Sequence, residues 1–274
     1  MKTTVIATAV VVAVGIGLAA GAQAGAAGDK PLDAAMAKYV SGNARSGYTF
    51  AEPETRAMQD DDFNNPSMLW VDRGEKLWST ADGDAGKSCA SCHNDAKASM
   101  KGVGATYPKY EASIGKLVNL EQRINMCREK NMQAKPLKWE SDDLLGLTGY
   151  VKMQSRGMPV NVKIDGEAAP FYEKGKAFYY ERRGQLDMAC KHCHEDNAGS
   201  FIRAELLSQG QTNGFPTYRL KWQKFGSLHR RFAGCNDEIR AEPYPVGSDE
   251  YTNLELYVAS RGQGLPVEAP SVRK

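Results

Sequence analysis

Apolar positions along the chain fall into one long block and several periodic stretches. The block is "MKTTVIATAVVVAVGIGLAAGAQA", residues 1–24, with one lysine, a long apolar run and Ala22-Gln23-Ala24 at its end. A basic start, a short apolar centre and a small-residue cleavage site predict a secretory signal peptide. A transmembrane anchor is the competing reading, but the run is short and rich in small residues. No other stretch is apolar enough to span a bilayer, so the mature chain is expected to be soluble, without a membrane span, and most simply periplasmic. Residues 25–65 show only weak periodicity and are expected to form an N-terminal extension laid on the rest.

Beyond residue 65 the helical period appears twice in the same order. "DRGEKLW" (72–78) and "EKGKAFY" (173–179) predict helices. So do "ESDDLLGLTGYVKMQSRG", ending at Gly157, and "GSDEYTNLELYVASRGQG". In the latter, Ser248 is placed to cap, Asp249 and Glu250 fill the first turn, and Gly262 ends the helix. Between the two sets, "NVKIDGEAAP" (161–170) has Gly, Pro and little apolar pattern, as a linker would. The expected architecture is mainly α, with two tandem cytochrome c-like domains at 66–160 and 171–274, joined by 161–170.

The domain type comes from the cysteines. "CASCH" spans Cys89 to His93 and "CKHCH" spans Cys190 to His194. C-x-x-C-H is the haem c attachment motif. Two thiols three positions apart each bond one former vinyl group, and the adjacent histidine is carried under the ring to the iron. A thioredoxin-like pair wants one C-x-x-C in a βαβ setting, which is missing. Four cysteines could also bind zinc or form a disulfide framework, but the duplicated final histidine favours haem over both. Two haem c groups are therefore expected, attached at Cys89, Cys92, Cys190 and Cys193, with His93 and His194 as axial ligands.

The repeat extends past the motifs. "YPKYE" (107–111) matches "FPTYR" (215–219), Leu120 matches Leu228, Arg123 matches Arg231, and Cys127 matches Cys235, all 108 positions apart. "QSRGMPV" (154–160) is echoed in "ASRGQGLPV" (259–267). Cys127 and Cys235 each follow a haem motif by a few dozen residues, where a small cytochrome c has its second axial ligand. Three readings stay open: thiolate ligation at both haems, a Cys127–Cys235 disulfide, or free buried thiols. Methionine ligands exist for the first haem (Met100, Met126, Met132, Met153, Met158), but none follows Met188. The second haem is left with Cys235 or His229. A thiolate donates strongly to haem iron and lowers its potential, which points to chemistry at the sulfur rather than plain electron carriage.

Charge separates the halves. The whole chain is near neutral, at +2, which is not a nucleic-acid-binding balance. Residues 218–240, however, hold Arg219, Lys221, Lys224, Arg230, Arg231 and Arg240 against Asp237 and Glu238. The matching window 110–132 is close to balanced. Cations lower a thiol's pKa and grip multi-oxygen anions. A solvated basic stripe or a docking patch is the plainer reading. Arg231 lies one helical turn before Cys235, a face that Gly234 could break. His192, inside the motif spacer, is expected to face outward, and His229 to lie at the surface.

The motifs together, and above all "RRFAGCNDEIRAEPYPVGSDEYTNLELYVASRGQGLPVEAP" (230–270), resemble the SoxA family of dihaem cytochromes from sulfur-oxidising bacteria. The resemblance covers nearly the whole mature chain, with no departure at the matched positions. It implies His/Cys ligation of both irons, through His93 with Cys127 and His194 with Cys235. It also implies a persulfide on a catalytic Cys235, and substrate contact by Arg231. The implied activity is that of an L-cysteine S-thiosulfotransferase. Thiosulfate is joined oxidatively to a cysteine of the carrier SoxYZ, and two electrons pass to cytochrome c through the monohaem partner SoxX, with which the subunit forms a heterodimer. Two further readings are a dihaem thiosulfate dehydrogenase forming tetrathionate and a plain dihaem electron carrier; a dihaem peroxidase has no specific support.

Overall fold

A computed structural model describes residue 1 and residues 32–274; the expected signal peptide, 1–24, lies outside these apart from Met1. No described helix is long and apolar enough to cross a membrane.

From residue 32 on, the described chain has 3-10 turns around a small hairpin, β1 (Val40–Ser41) and β2 (Ala44–Arg45), then helix α1 (Pro53–Asp60). The first repeat follows: α2 (Met68–Ser79), α3 (Ala90–His93), α4 (Ala96–Ser99), the hairpin β3 (Lys109–Glu111) and β4 (Lys116–Val118), α5 (Leu120–Cys127) and α6 (Asp142–Met153). The second runs α7 (Ala169–Tyr180), α8 (Cys190–His194), a short hairpin β5 (Phe201–Ile202) and β6 (Glu205–Leu206), then β7 (Thr217–Arg219), β8 (Lys224–Gly226), α9 (Leu228–Glu238) and α10 (Asp249–Arg261). Strand β9 (Ser271–Arg273) closes the chain.

Each repeat is built on one helix crossing, α2 on α6 and α7 on α10. Both crossings depend on a glycine. A Cβ on Gly74 would lie 2.1 Å from the carbonyl oxygen of Gly146, and one on Gly175 would lie 2.0 Å from that of Asn253. Such approach is open only to a residue without a side chain. The predicted cap is in place, with Ser248 Oγ accepting from the Tyr251 N–H, and Ser141 Oγ accepts from the Leu144 N–H in the same way. Helix α6 stops at Met153, short of the expected Gly157, and turns continue to that glycine at φ +80°.

Tyr150, Val151 and Trp78 fill the first core; Tyr179, Tyr251, Leu254 and Val258 fill the second. The echoed segments of the two repeats pair with each other. The Gly157 N–H donates to Val267 O and the Val267 N–H to Met158 O, both at 2.8 Å. Residues 161–170 pack into the seam beside them, with Val162 and Ala168 buried against Leu256 and Val267. The segment before α2 lies on the C-terminal strand. The Val272 N–H donates to Gln59 Oε1 (3.1 Å), Ser67 Oγ donates to Ser271 O (2.9 Å), and buried Ser46 bonds the Glu268 carboxylate.

Candidate functional site

The two attachment motifs sit on short helices that begin where α2 and α7 have turned back. In the second, Cys190, Cys193 and His194 line a cavity of about 480 Å³ together with Cys235 and Arg231. Its walls are largely apolar and aromatic, including Phe178, Phe215, Phe232 and Val258. His194 is fixed within it. Its Nδ1 lies 2.8 Å from the Ser208 carbonyl, which accepts the proton there and leaves Nε2 for a metal. Burial pushes its pKa down to about 4, so the ring is neutral, as a ligand must be. Gly210, at φ +71°, has no Cβ to meet the imidazole 2.8 Å away. Burial, and then Cys235 nearby, push the Cys190 thiol up to about 12.

Cys235 is presented by α9, whose N-terminus is capped by Ser227 Oγ accepting from the Arg230 N–H. Gly234 does not break the helix, so Arg231 and Cys235 stand one turn apart on it. The charge of a Cys235 thiolate beside Arg231 holds the guanidinium above its ordinary pKa. Arg231 forms no salt bridge among the described residues, though the charges of Glu238 and Glu205 add to that rise. On the other side of α9 lies a second, smaller cavity of about 270 Å³, lined by Arg219, Lys221, Trp222, Arg230 and Arg231 as well as Asp237 and Glu238. Arg219, Arg231 and Glu238 line both cavities. Arg219 is only 6 % exposed, and burial, then Arg231, lower its pKa. Arg230 and Arg219 lie over the Trp222 ring, with centroid distances of 4.4 and 5.1 Å.

In the first half Cys89 and Cys127 are half-buried, while Cys92 and His93 are exposed. His93 packs beside Trp78, ring centroids 5.8 Å apart. Burial raises the Cys89 pKa, against which Arg128 acts, and Cys127 adds to the rise. Each lone cysteine thus accompanies the motif of its own half. No disulfide joins any of the six among the described residues.

One histidine expectation changes. His229 is not at the surface: it is 1 % exposed, because the first turn of α9 packs between the halves. Its Nδ1 accepts from the Gly247 N–H (3.0 Å), its Nε2 lies 3.1 Å from Glu255 Oε2, and its ring stacks on Trp139. His192 is half-buried, with Nδ1 accepting from the Ala189 N–H. Sequence reasoning did not single out Ser208, Gly210 or Tyr179, and it saw Arg219 only as one charge among six.

The cavity fits a large flat apolar group that carries polar substituents. No three His, Cys, Asp or Glu side chains converge to hold a bare ion among the described residues. The donors instead surround a space lined by aromatic rings, as covalent haem requires. Two lining residues carry buried polar atoms without protein partners, Tyr179 Oη and Gln211 Oε1.

The profile of the SoxA/TsdA cytochrome c domain family matches the chain twice, over residues 73–160 and 174–267. The chain belongs to the SoxA family. It is 52 % identical over 230 residues to the L-cysteine S-thiosulfotransferase subunit SoxA of Pseudaminobacter salicylatoxidans, covering 84 % of this chain and 80 % of that protein. It is 50 % identical to the subunit of the same name from Paracoccus pantotrophus, covering 83 % of this chain and 78 % of that one. A crystal structure of SoxXA from P. pantotrophus superposes with a TM-score of 0.81 at 50 % identity, over 84 % of this chain and 87 % of that chain. The SoxA fold is thus cytochrome c-like and mainly helical, as the sequence predicted, and its cofactor is haem c.

Proposed function

We propose that this SoxA-family chain is the catalytic subunit of an L-cysteine S-thiosulfotransferase. It joins thiosulfate oxidatively to a cysteine of the SoxYZ carrier and passes two electrons to cytochrome c. The observation that carries this reading is the position of α9: Cys235 faces the cavity of the second attachment motif, and one turn away Arg231 lines both that cavity and the cationic one. The close relatives named for this activity support it.

In the net reaction a bond forms between the outer sulfur of thiosulfate and the carrier thiol sulfur. The thiol proton is released and two electrons leave. The chain's own residues bind and orient. Arg231 feels Glu238 and Glu205 only as nearby charges and offers a guanidinium fork to the dianion's oxygens. Lys221 and Arg230 add positive charge at the mouth, which Asp237 and Glu238 partly offset. Cys235 is the reactive sulfur and carries a persulfide. The apolar wall of Phe232 and Val258 keeps water from it.

Haem c groups would be held through Cys89 and Cys92 and through Cys190 and Cys193. His93 with Cys127, and His194 with Cys235, would supply the protein ligands to the two irons. When bound, haem supplies a one-electron sink next to the reactive sulfur. The two haem domains are preceded by an N-terminal extension. The partner that takes the electrons is SoxX, by analogy with the SoxXA crystal structure. The signal peptide at 1–24 directs the chain to the periplasm.

The test is an assay of the haem-loaded heterodimer with thiosulfate, SoxYZ and oxidised cytochrome c. The expected result is thiosulfate added to the carrier cysteine, with two cytochromes reduced for each addition. Arg231→Ala is expected to raise the thiosulfate requirement while both haems stay bound; an unchanged requirement would remove that role. Tetrathionate formed without SoxYZ would instead identify a thiosulfate dehydrogenase.

A further inference from the structure

Around the lone cysteines the two halves differ in the residue that ends the first hairpin strand. In the first half Arg123 stands one turn before Cys127, as Arg231 does before Cys235. Arg123 is not available to an anion. Its NH1 donates to Glu111 Oε2 at 2.8 Å, and Ser113 Oγ holds the other carboxylate oxygen at 2.7 Å. Glu111 ends β3, where it pairs across the hairpin with Lys116. In the second half the same hairpin keeps the same register. Its end position is Arg219, paired with Lys224. The residue that neutralises the arginine in one half is therefore replaced by a second arginine in the other.

Arg219 is also built in rather than solvated. Its Nε donates to the Lys274 carbonyl oxygen at 2.9 Å, its NH2 lies 3.3 Å from Glu205 Oε1, and its guanidinium lies over Trp222. Burying a cation beside another cation is costly unless the site awaits negative charge. Two guanidinium groups that line the same pair of cavities meet that description. Glu205 and Glu238 offset part of the charge, which keeps the site foldable when empty.

We propose that Arg219 and Arg231 together form a two-guanidinium site for a divalent sulfur oxyanion. On this reading the exchange of Glu for Arg at the strand end is what makes the second half, and not the first, able to bind it. Arg219 is then a substrate-binding residue, with Glu205, the Lys274 carbonyl and Trp222 as the groups that position it. The inference deepens the proposed function and rests on it for the identity of the anion. The site itself is a statement about binding and needs no turnover.

The experiment is calorimetric titration of the haem-loaded protein, with its cytochrome partner, using thiosulfate, sulfate and methanesulfonate. The native protein is expected to bind the two dianions at least ~10-fold more tightly than the monoanion, since two charge-assisted contacts are offered. Arg219→Ala is expected to weaken thiosulfate binding by about 10- to 100-fold, the weight of one charged hydrogen-bonding group. Arg219→Glu recreates the first-half pair, ties up Arg231, and is expected to abolish binding with the haem absorption bands unchanged. Arg219→Lys keeps the charge but not the fork, and is expected to fall between native and Arg219→Ala. Dianions held no better than methanesulfonate by the native protein would overturn the site, whatever the fate of the variants. So would thiosulfate binding within twofold of native in Arg219→Ala. Tight dianion binding without transfer to SoxYZ would leave the site standing and sink the transferase reading instead.

Discussion

The first and second attachment motifs stand on the same scaffold and have different surroundings. Around CKHCH, His194 is held by the Ser208 carbonyl, and Arg231 beside Cys235 has no acidic partner in salt-bridge reach among the described residues. Around CASCH, Cys92 and His93 are exposed. The arginines near Cys127 are both paired, Arg123 with Glu111 and Arg128 with Asp82. Duplication copied the helix crossing, the hairpin and the thiol position. What differs is the arginine one turn before the thiol: Arg123 is tied to Glu111, whereas Arg231 faces a second arginine, Arg219.

If that difference is functional, the two cysteines carry unequal weight. Cys235→Ser is expected to lower carrier-dependent thiosulfate oxidation by on the order of 10³-fold or more, the usual scale for a reacting group. Cys127→Ser is expected to cost less than ~10-fold. Steady-state rates with SoxYZ, compared at equal haem content, check this; equal losses would mean that the halves work as a pair.

The scaffold, by contrast, is expected to be equally demanding in both halves. Gly74→Ala and Gly175→Ala each force a methyl group into a carbonyl oxygen at the central helix crossing. Each is expected to cost about 3 kcal/mol, the upper range for overpacking, or roughly 10 °C in Tm. Calorimetric melting of the two variants decides it. A variant that melts like the parent would show that its crossing is loose.

Much of this scaffold was legible in the chain. Helix caps at Ser141 and Ser248 are local signals, and the two C-x-x-C-H motifs are strict in spacing. The buried state of His229 was not legible. Its neighbours Arg230 and Arg231 make a charged window, whereas its partners Asn119, Trp139 and Glu255 come from distant segments. Arg219 was half legible. The alignment of YPKYE with FPTYR already set it opposite Glu111, but only the fold shows that Glu111 grips Arg123. Ser208 and Gly210 lie in a loop with no counterpart signal, and only the position of the imidazole gives them meaning.

The seam between the halves supplies a pH effect. Glu121 of α5 is buried, and desolvation, then the charge of Glu255, raise its pKa to about 7; His229 and Lys152 act the other way. Unfolded, it titrates near ~4.3. As pH rises from about 4 to 7 the unfolded chain loses this proton before the folded one does. This group therefore lowers stability over that window, and its full cost is present above pH 7. Glu255 is pushed up by burial but held below its usual value by the hydrogen bond and charge of His229, with Lys152 and Asn119; it works in the opposite sense, losing its contribution as pH falls below ~4. Glu121→Gln is expected to stabilise by on the order of 1–3 kcal/mol at pH 8 and by little at pH 4. Melting curves at both pH values test it, and an equal shift at both would show that the proton is not the cause.

The smallest effect sharpens the comparison most. Glu111 and Arg123 form a partly exposed pair, with side chains 25 % and 41 % exposed, so Glu111→Gln is expected to cost less than ~1 kcal/mol in stability. It nevertheless frees the first-half arginine and leaves Cys127 in place. If two built-in guanidinium groups are needed, the variant gains no anion site, because Arg123 then stands alone near water. Thiosulfate titration should still show one binding event per chain, with unchanged affinity. A second event would mean that a lone arginine one turn before the cysteine is enough. The Glu-to-Arg exchange would then not be what separates the halves, and the salt bridge alone would be the lock on the first.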